Sequence, residues 1–228
     1  PSPLTTRGAI ARYTAAATTA TTRRGHIRRA SVCYIGAQMR ALTGLCTDAR
    51  FRAHRAPREH PERPERLVAI ERALDAAGLR ARCTAVAARP ATRAELELAH
   101  APEYLDALER TVGKGGQGWL DPDTFYSEGT WTAALLAAGA AVDLALAVAA
   151  GELDNGFALV RPPGHHATRS SAMGFCILNN VAVAAARLRQ LGKRVAIVDW
   201  DVHHGNGTEA IVDEEPDVLY CSTREWPQ

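Results

Sequence analysis

Two histidine pairs, His165-His166 and His203-His204, hold four of the chain's eight histidines, and each pair follows a short apolar run. The second run continues as Val198-Asp199-Trp200-Asp201-Val202-His203, so Asp199, Asp201 and His203 stand at i, i+2 and i+4. In extended backbone, alternate side chains project from one face. A carboxylate oxygen and an imidazole nitrogen one such step apart can reach the same divalent ion at about 2.0–2.2 Å. Asp201 and His203 are therefore the first candidate metal ligands. Asp199, one step deeper, is placed to orient a neighbouring group. The residue types describe a metal-centred site with further imidazoles beside it.

Each part has a plainer reading when taken singly. Tandem histidines after Pro162-Pro163-Gly164 can form an exposed loop, and two aspartates closing a strand can be turn residues or helix caps. Gly205-Asn206-Gly207 before a helix near Thr208 can cradle a phosphate, yet it lacks a third glycine or a lysine. Those readings require two histidine pairs and two acids to gather at matching strand ends by accident. By the same physics, His60 to Arg66 is a proline-broken polar loop, Asp121-Pro122-Asp123 is a turn, and Cys176 packs as a small apolar group.

The elements that must position these residues are legible around them. Phe157 to Val160 is an apolar run that leaves at Arg161-Pro162-Pro163-Gly164, the pattern of a buried strand. Asn179 or Asn180 can cap a helix running to Leu191, closed by Gly192, and Val195 to Val198 reads as a second buried strand. Strand, helix and strand make a βαβ unit with parallel strands and a right-handed crossover. In such sheets ligands bind beyond the carboxyl ends of the strands, so neighbouring strands would bring both histidine pairs and the acids to one crevice. The pattern predicts an α/β domain with a mainly parallel sheet and helices on both faces. Upstream, Pro64 opens a helix ended by Gly78, and Pro102 opens another before Gly113. Trp131 to Ala150 is the most apolar stretch, but Asp143 in its middle would cost roughly 3 kcal/mol in lipid. It reads as a core helix ended by Gly151, with no membrane partner.

At 228 residues, 46% apolar and 23% charged, the chain suits one globular domain of ordinary size. Its five cysteines are odd in number, widely spaced and free of any C-x-x-C pair, which fits reduced thiols and a cytoplasmic location. The net charge of +2 conceals an asymmetry. Residues 1–47 carry seven arginines and no acid, while the remaining 20 basic and 25 acidic residues leave the body at −5. A mildly acidic body argues against direct nucleic-acid binding. Residues 1–41, rich in Ala, Thr and Arg, read as a disordered or extraneous leader, and an organellar transit peptide is the alternative. The domain is expected over 42–228.

Arg161-Pro162-Pro163-Gly164-His165-His166-Ala167, Met173-Gly174-Phe175-Cys176, Asn179-Asn180 and Val198 to Thr208 resemble the zinc-dependent histone deacetylase superfamily, in particular its class II and bacterial branch with the acetylpolyamine amidohydrolases. The His60 to Arg66 and His100 to Leu105 segments and Asp123-Thr124 match in the same order, so the resemblance runs from about Leu42 to the last residue. It implies a three-layer arginase/deacetylase-like α/β fold and a Zn²⁺ amidohydrolase that removes acyl groups from the lysines of a peptide or protein, or from acetylpolyamines. By motif position Asp201 and His203 resemble two of three zinc ligands. His166 resembles the general base and acid, His165 a charge-stabilising partner, and Asp199 the residue behind His165. Asn206 stands where class I members carry an aspartate beside the second histidine. Gly174 and Phe175 resemble the lining of the acyl-lysine channel, and Asp123 the rim acid that receives substrate backbone or amine. Backbone around Asp199, Asp201 and His203, with Ser222, resembles a structural potassium site.

Two parts of the family pattern find no match: the third zinc ligand, an aspartate well downstream of His203, and a tyrosine in a glycine-rich loop. The sequence is accordingly expected to be a C-terminally truncated form with an incomplete fold, weak zinc binding and little deacetylase activity. Two other readings compete. An arginase-like hydrolase with two Mn²⁺ ions would want a D-x-H-x-D run, whereas Asp199 to His203 has the order reversed. A non-catalytic module that binds acyl-lysine or metal is the second.

Overall fold

A computed structural model of the chain describes residues 41–57 and 59–225. In chain order these form β1 (Thr43–Cys46), a 3₁₀ turn (Ala49–Ala53), α1 (Glu65–Ala76), β2 (Thr84–Ala85), α2 (Arg93–Leu96), α3 (Pro102–Thr111), β3 (Gly118–Trp119) and β4 (Phe125–Tyr126). There follow α4 (Thr130–Ala149), β5 (Asn155–Ala158), α5 (Asn180–Arg189), β6 (Val195–Asp199), α6 (Asn206–Val212) and β7 (Val218–Ser222). The class is α/β with parallel pairing, as expected. The leader expected over residues 1–41 falls, except for its last residue, outside the described residues.

The strands form one parallel sheet in the order β2-β1-β5, a second parallel pair β6-β7, and an antiparallel hairpin β3-β4. Asp121-Pro122-Asp123 is the hairpin's turn, with Asp121 Oδ1 accepting the N–H groups of Asp123 and Thr124 at 3.0 and 2.6 Å. Two expectations are corrected. The strand before the histidine pair begins at Asn155 and ends at Ala158, two residues earlier than the apolar run. It does not pair with β6: β5 pairs with β1, and β6 pairs with β7. Among the described residues each of these two strands is bonded on one side only, and a groove lined by Ala158, Val160, Ala184 and Ile197 lies between them. Phe157 and Val198, read as buried, project from faces of these strands that leave them 46% and 56% exposed.

The predicted helices form close to their signals. Pro64 precedes the first residue of α1, and Pro102 is the first residue of α3, where its missing N–H has no partner to lose. The polar Asn179 caps α5 by accepting the N–H of Ala182 at 3.1 Å. The apolar helix α4 is long and apolar enough to cross a membrane by length and composition, yet half of its apolar stretch is buried in the core. Its small residues Ala134 and Ala138 pack with Leu105, Leu108, Ile177 and Val183, and Leu136, Ala137 and Ala140 pack with Leu45, Phe51 and Leu67. Alanine on both flanks lets one helix serve two clusters. Asp143 pairs with Arg89 at 2.6 Å.

Beneath the segment that leads to His165 lies a buried ionic group. Arg161 grips Glu62 with two nitrogens, Nη2 to Oε2 at 2.6 Å and a second contact from Nε to Oε1. His54 Nε2 lies 3.2 Å from Glu62 Oε2, and its Nδ1 lies 2.8 Å from Thr130 Oγ1 at the start of α4. Burial pushes the Glu62 carboxyl up, but the hydrogen bonds from His54 and Arg161 and the Arg161 charge hold it at about 2. Glu62 is thus a buried anion within a segment whose sequence physics gave only a polar loop.

Candidate functional site

Although β5 and β6 do not pair, the loop after β5 and the loop after β6 converge. His165 Nδ1 lies 2.9 Å from Asp199 Oδ2. With a carboxylate as partner, Nδ1 carries the proton and donates it, which leaves Nε2 directed elsewhere. Tyr220 on β7 also donates to Asp199 Oδ2 at 3.2 Å. Asp199 is thereby held from two sides, and this tyrosine carried no sequence signal. His166 stacks near His165 with ring centroids 4.1 Å apart, and its Nδ1 lies 2.7 Å from Asn206 Oδ1. The Asn206 amide nitrogen faces Met173 Sδ at 3.4 Å, so the oxygen is the atom turned to the imidazole. His166 is consequently an Nδ1–H tautomer with a free Nε2. Burial holds its pKa below the usual histidine value, with the Asn206 contact opposing and the charges of His165 and His203 adding. A neutral imidazole with an open nitrogen is the form that can accept a proton near pH 7.

Asp201 and His203 also meet, by a route different from the expected one. β6 ends at Asp199, so the alternation of an extended strand does not place them. Instead each aspartate folds the chain onto itself: Asp199 Oδ1 accepts the Asp201 N–H at 3.1 Å, and Asp201 Oδ1 accepts the His203 N–H at 2.8 Å. The result brings Asp201 Oδ1 and His203 Nδ1 within 3.0 Å of each other. Two donors on one tetrahedral zinc stand about 3.3–3.6 Å apart, given bonds of about 2.0–2.2 Å, so this pair is nearly in ligating position. Burial raises the Asp201 carboxyl, and the backbone and ring contacts of His203 more than offset it, leaving a net depression that favours the carboxylate. The donor set fits two ligands of a zinc site. Among the described residues no group of three or more His, Cys, Asp or Glu converges as a metal site.

The oxygen-rich end of β6-β7 has a separate feature. Register places Ser222 opposite Asp199, and Ser222 Oγ is buried without a hydrogen-bond partner. A buried hydroxyl oxygen without a hydrogen-bond partner among the described residues can serve a hard, oxygen-seeking cation.

The turn of the hairpin β3-β4 is bonded to the Gly174-Phe175 turn. Gly174 and Phe175 both have positive φ, 56° and 69°. Asp123 Oδ1 accepts the Gly174 N–H at 3.1 Å, and Thr124 Oγ1 accepts the Phe175 N–H at 3.0 Å. A Cβ on Gly174 would strike the His166 ring, so glycine is required twice over, by conformation and by space. Asp123 therefore pins the backbone of Gly174, the residue that packs against His166. His60, missed as a site residue, packs edge-on against Phe175 at 4.6 Å between centroids and makes a 3.2 Å contact with the Asp123 carbonyl. Cys176 behind this turn is fully buried, and burial pushes its thiol up to about 12, so it is the inert packing group expected.

A parallel α/β scaffold that sets paired imidazoles beside a carboxylate–imidazole donor pair has the deacetylase-like architecture, and the crystal structure of the HDA15 HD domain matches it with a TM-score of 0.77. That match carries 45% identity and covers 80% of this chain and 53% of the other. The chain belongs to the histone deacetylase family: the model of the histone deacetylase domain matches residues 60–228. It is 49% identical over 165 residues to histone deacetylase 15 of Arabidopsis thaliana, covering 72% of this chain and 30% of that protein. It is 46% identical over 169 residues to polyamine deacetylase HDAC10 of Homo sapiens, covering 71% of this chain and 25% of that one. The chain thus spans less than a third of the length of these curated relatives.

Proposed function

We propose that the site serves a zinc-dependent deacetylase, in which His165, His166 and Asp199 do the proton and charge work and Asp201 and His203 are metal ligands. The observation that carries this reading is the pairing of each imidazole with its own acceptor, Asp199 for His165 and Asn206 for His166, directly beside the Asp201–His203 donors. A zinc ion held there would polarise an amide carbonyl and acidify the attacking water. With its Nδ1 proton committed to Asn206, His166 Nε2 takes a proton from that water and delivers one to the departing amine. Positioned transfer of this kind contributes about 10²–10⁴ in rate. His165, backed by the Asp199 carboxylate, stabilises the charge that develops next to it. Acetate and a free amine are the products.

Phe175 and Gly174 form the wall along which an acyl-lysine stem lies, and Asp123, one oxygen engaged by Gly174, offers its other oxygen to the substrate's backbone N–H or amine. Relatives named histone deacetylase and polyamine deacetylase support both an acetyl-lysine peptide or protein and an acetylpolyamine as substrate classes. Asn206 in place of an acid favours the class II-like branch. The unpartnered Ser222 oxygen supports a potassium ion at the Asp199, Asp201 and His203 backbone, where it would stiffen the loop that carries the zinc ligands.

Asp201 and His203 would supply two of the ligands such a zinc needs, so turnover is expected to rise with added zinc. Acetate release from an acetyl-lysine peptide and from an acetylpolyamine, followed against zinc concentration for the wild type and His166→Ala, tests the assignment. Zinc-dependent release that His166→Ala abolishes is expected. Ligand binding without release at any zinc concentration would favour a binding module instead.

A further inference from the structure

Four carbonyls, that of His165 and those of the three residues after the histidine pair, are each taken by a separate donor. His165 O accepts the Thr208 N–H at 3.0 Å, and Ala167 O accepts from Asn179 Nδ2 at 3.0 Å. Thr168 O lies 2.9 Å from His100 Nδ1, and Arg169 O accepts the Ala101 N–H at 2.8 Å. His100, Asn179 and Thr208 have no exposed surface. Gly207 closes the ladder, because a Cβ there would collide with the carbonyls of His166 and Ala167.

Asn179 is the hub. Its Oδ1 caps α5 through Ala182 N–H, its Nδ2 serves Ala167 O and also Thr208 Oγ1 at 3.1 Å, and its own N–H is donated to His100 Nε2 at 2.9 Å. That last bond fixes His100 as the neutral Nδ1–H tautomer that can donate to Thr168 O. Burial agrees, lowering the His100 pKa to about 4. Serine, threonine or aspartate would cap α5 as well as asparagine does. Capping alone therefore does not explain the residue; the second, donating half of the amide does.

We propose that Asn179, seated on His100, is a positioning residue for the His165–His166 pair: it holds the backbone immediately after the pair so that both imidazoles face the Asp201–His203 donors. The proposal rests on the reading of that pair as the working histidines. Neither Asn179 nor His100 touches the reacting atoms, so the effect is expected on turnover and not on substrate affinity.

The test uses Asn179→Ser and Asn179→Asp, which keep the α5 cap and lose the donor to Ala167 O, with His166→Ala as reference. At saturating zinc, acetyl-lysine peptide turnover is expected to fall at least tenfold in both variants while KM moves less than twofold. Amide hydrogen exchange at Ala167, Thr168 and Thr208 is expected to speed up without change elsewhere. His100→Gln, which retains a donor and an acceptor, is expected to keep more activity than His100→Phe. Wild-type turnover and unchanged exchange in Asn179→Ser, with His166→Ala inactive, would overturn the proposal, and so would global unfolding of both Asn179 variants. Full activity of His166→Ala would defeat the functional reading of the pair, while the exchange measurement would still decide whether Asn179 tethers the loop.

Discussion

His165 lies in the segment after β5 and Asp199 closes β6, strands of two different sheets, yet Nδ1 of the one lies 2.9 Å from Oδ2 of the other. The contact crosses the gap between β5 and β6, so the site is assembled by side chains and loops instead of by a shared strand ladder. Asp199 also accepts from Tyr220, which fixes its carboxylate relative to β7.

If Asp199 sets the tautomer and orientation of His165, Asp199→Asn should lower turnover by roughly 10- to 100-fold with little change in KM. Steady-state kinetics on an acetyl-lysine peptide would check this, and an unchanged kcat would remove Asp199 from the account.

The Glu62–Arg161 pair is almost wholly buried, with side-chain exposures of 1% and 2%. Breaking a buried pair by removing one partner strands a charge, so Glu62→Ala or Arg161→Ala should each cost about 3–5 kcal/mol in urea denaturation. The double change Glu62→Gln with Arg161→Met should cost distinctly less than the two single losses added together.

Acid should destabilise the fold in two overlapping stages. His100 titrates near 6.5 when unfolded and near 4 when buried, so between those values unfolding takes up a proton and stability falls as pH drops. Glu62 moves from 4.5 to about 2, so its contribution, present above 4.5, is lost on further acidification toward 2. Each removes on the order of 3 kcal/mol of stability by the end of its own acid limb. Denaturation midpoints measured from pH 7 to 3 should fall steeply, and a flat profile between pH 7 and 4 would contradict the burial of a neutral His100.

Gly174→Ala forces a Cβ into the left-handed region at a cost of about 1–2 kcal/mol and against the His166 ring. The melting temperature should drop modestly, and turnover should drop more than stability does. Equal wild-type kinetics would show that the turn has room to shift.

Much of the site could be read from residues alone, because its chemistry is packed into short contiguous runs. Asp201 with His203 follows from residue type and spacing, whereas Asp199 behind His165 is implied only by the family resemblance. The reason given for the first pair was wrong in detail: aspartate turns, not strand alternation, bring the donors together. Phe157 and Val198 are exposed although their runs are apolar, because an apolar run reports the propensity to be covered and not which face of the strand is covered. Glu62, Tyr220, His60 and the double use of Asn179 were invisible to periodicity, since each acts through contacts with residues far away in the chain.

The most direct test of the central claim is acetate release from an acetyl-lysine peptide, measured as zinc is removed by a chelator and restored, in the wild type and in His166→Ala. The site as described predicts release that disappears with zinc, returns with it, and is absent from His166→Ala while that variant still binds zinc. Release that survives chelation, or that His166→Ala leaves intact, would contradict it.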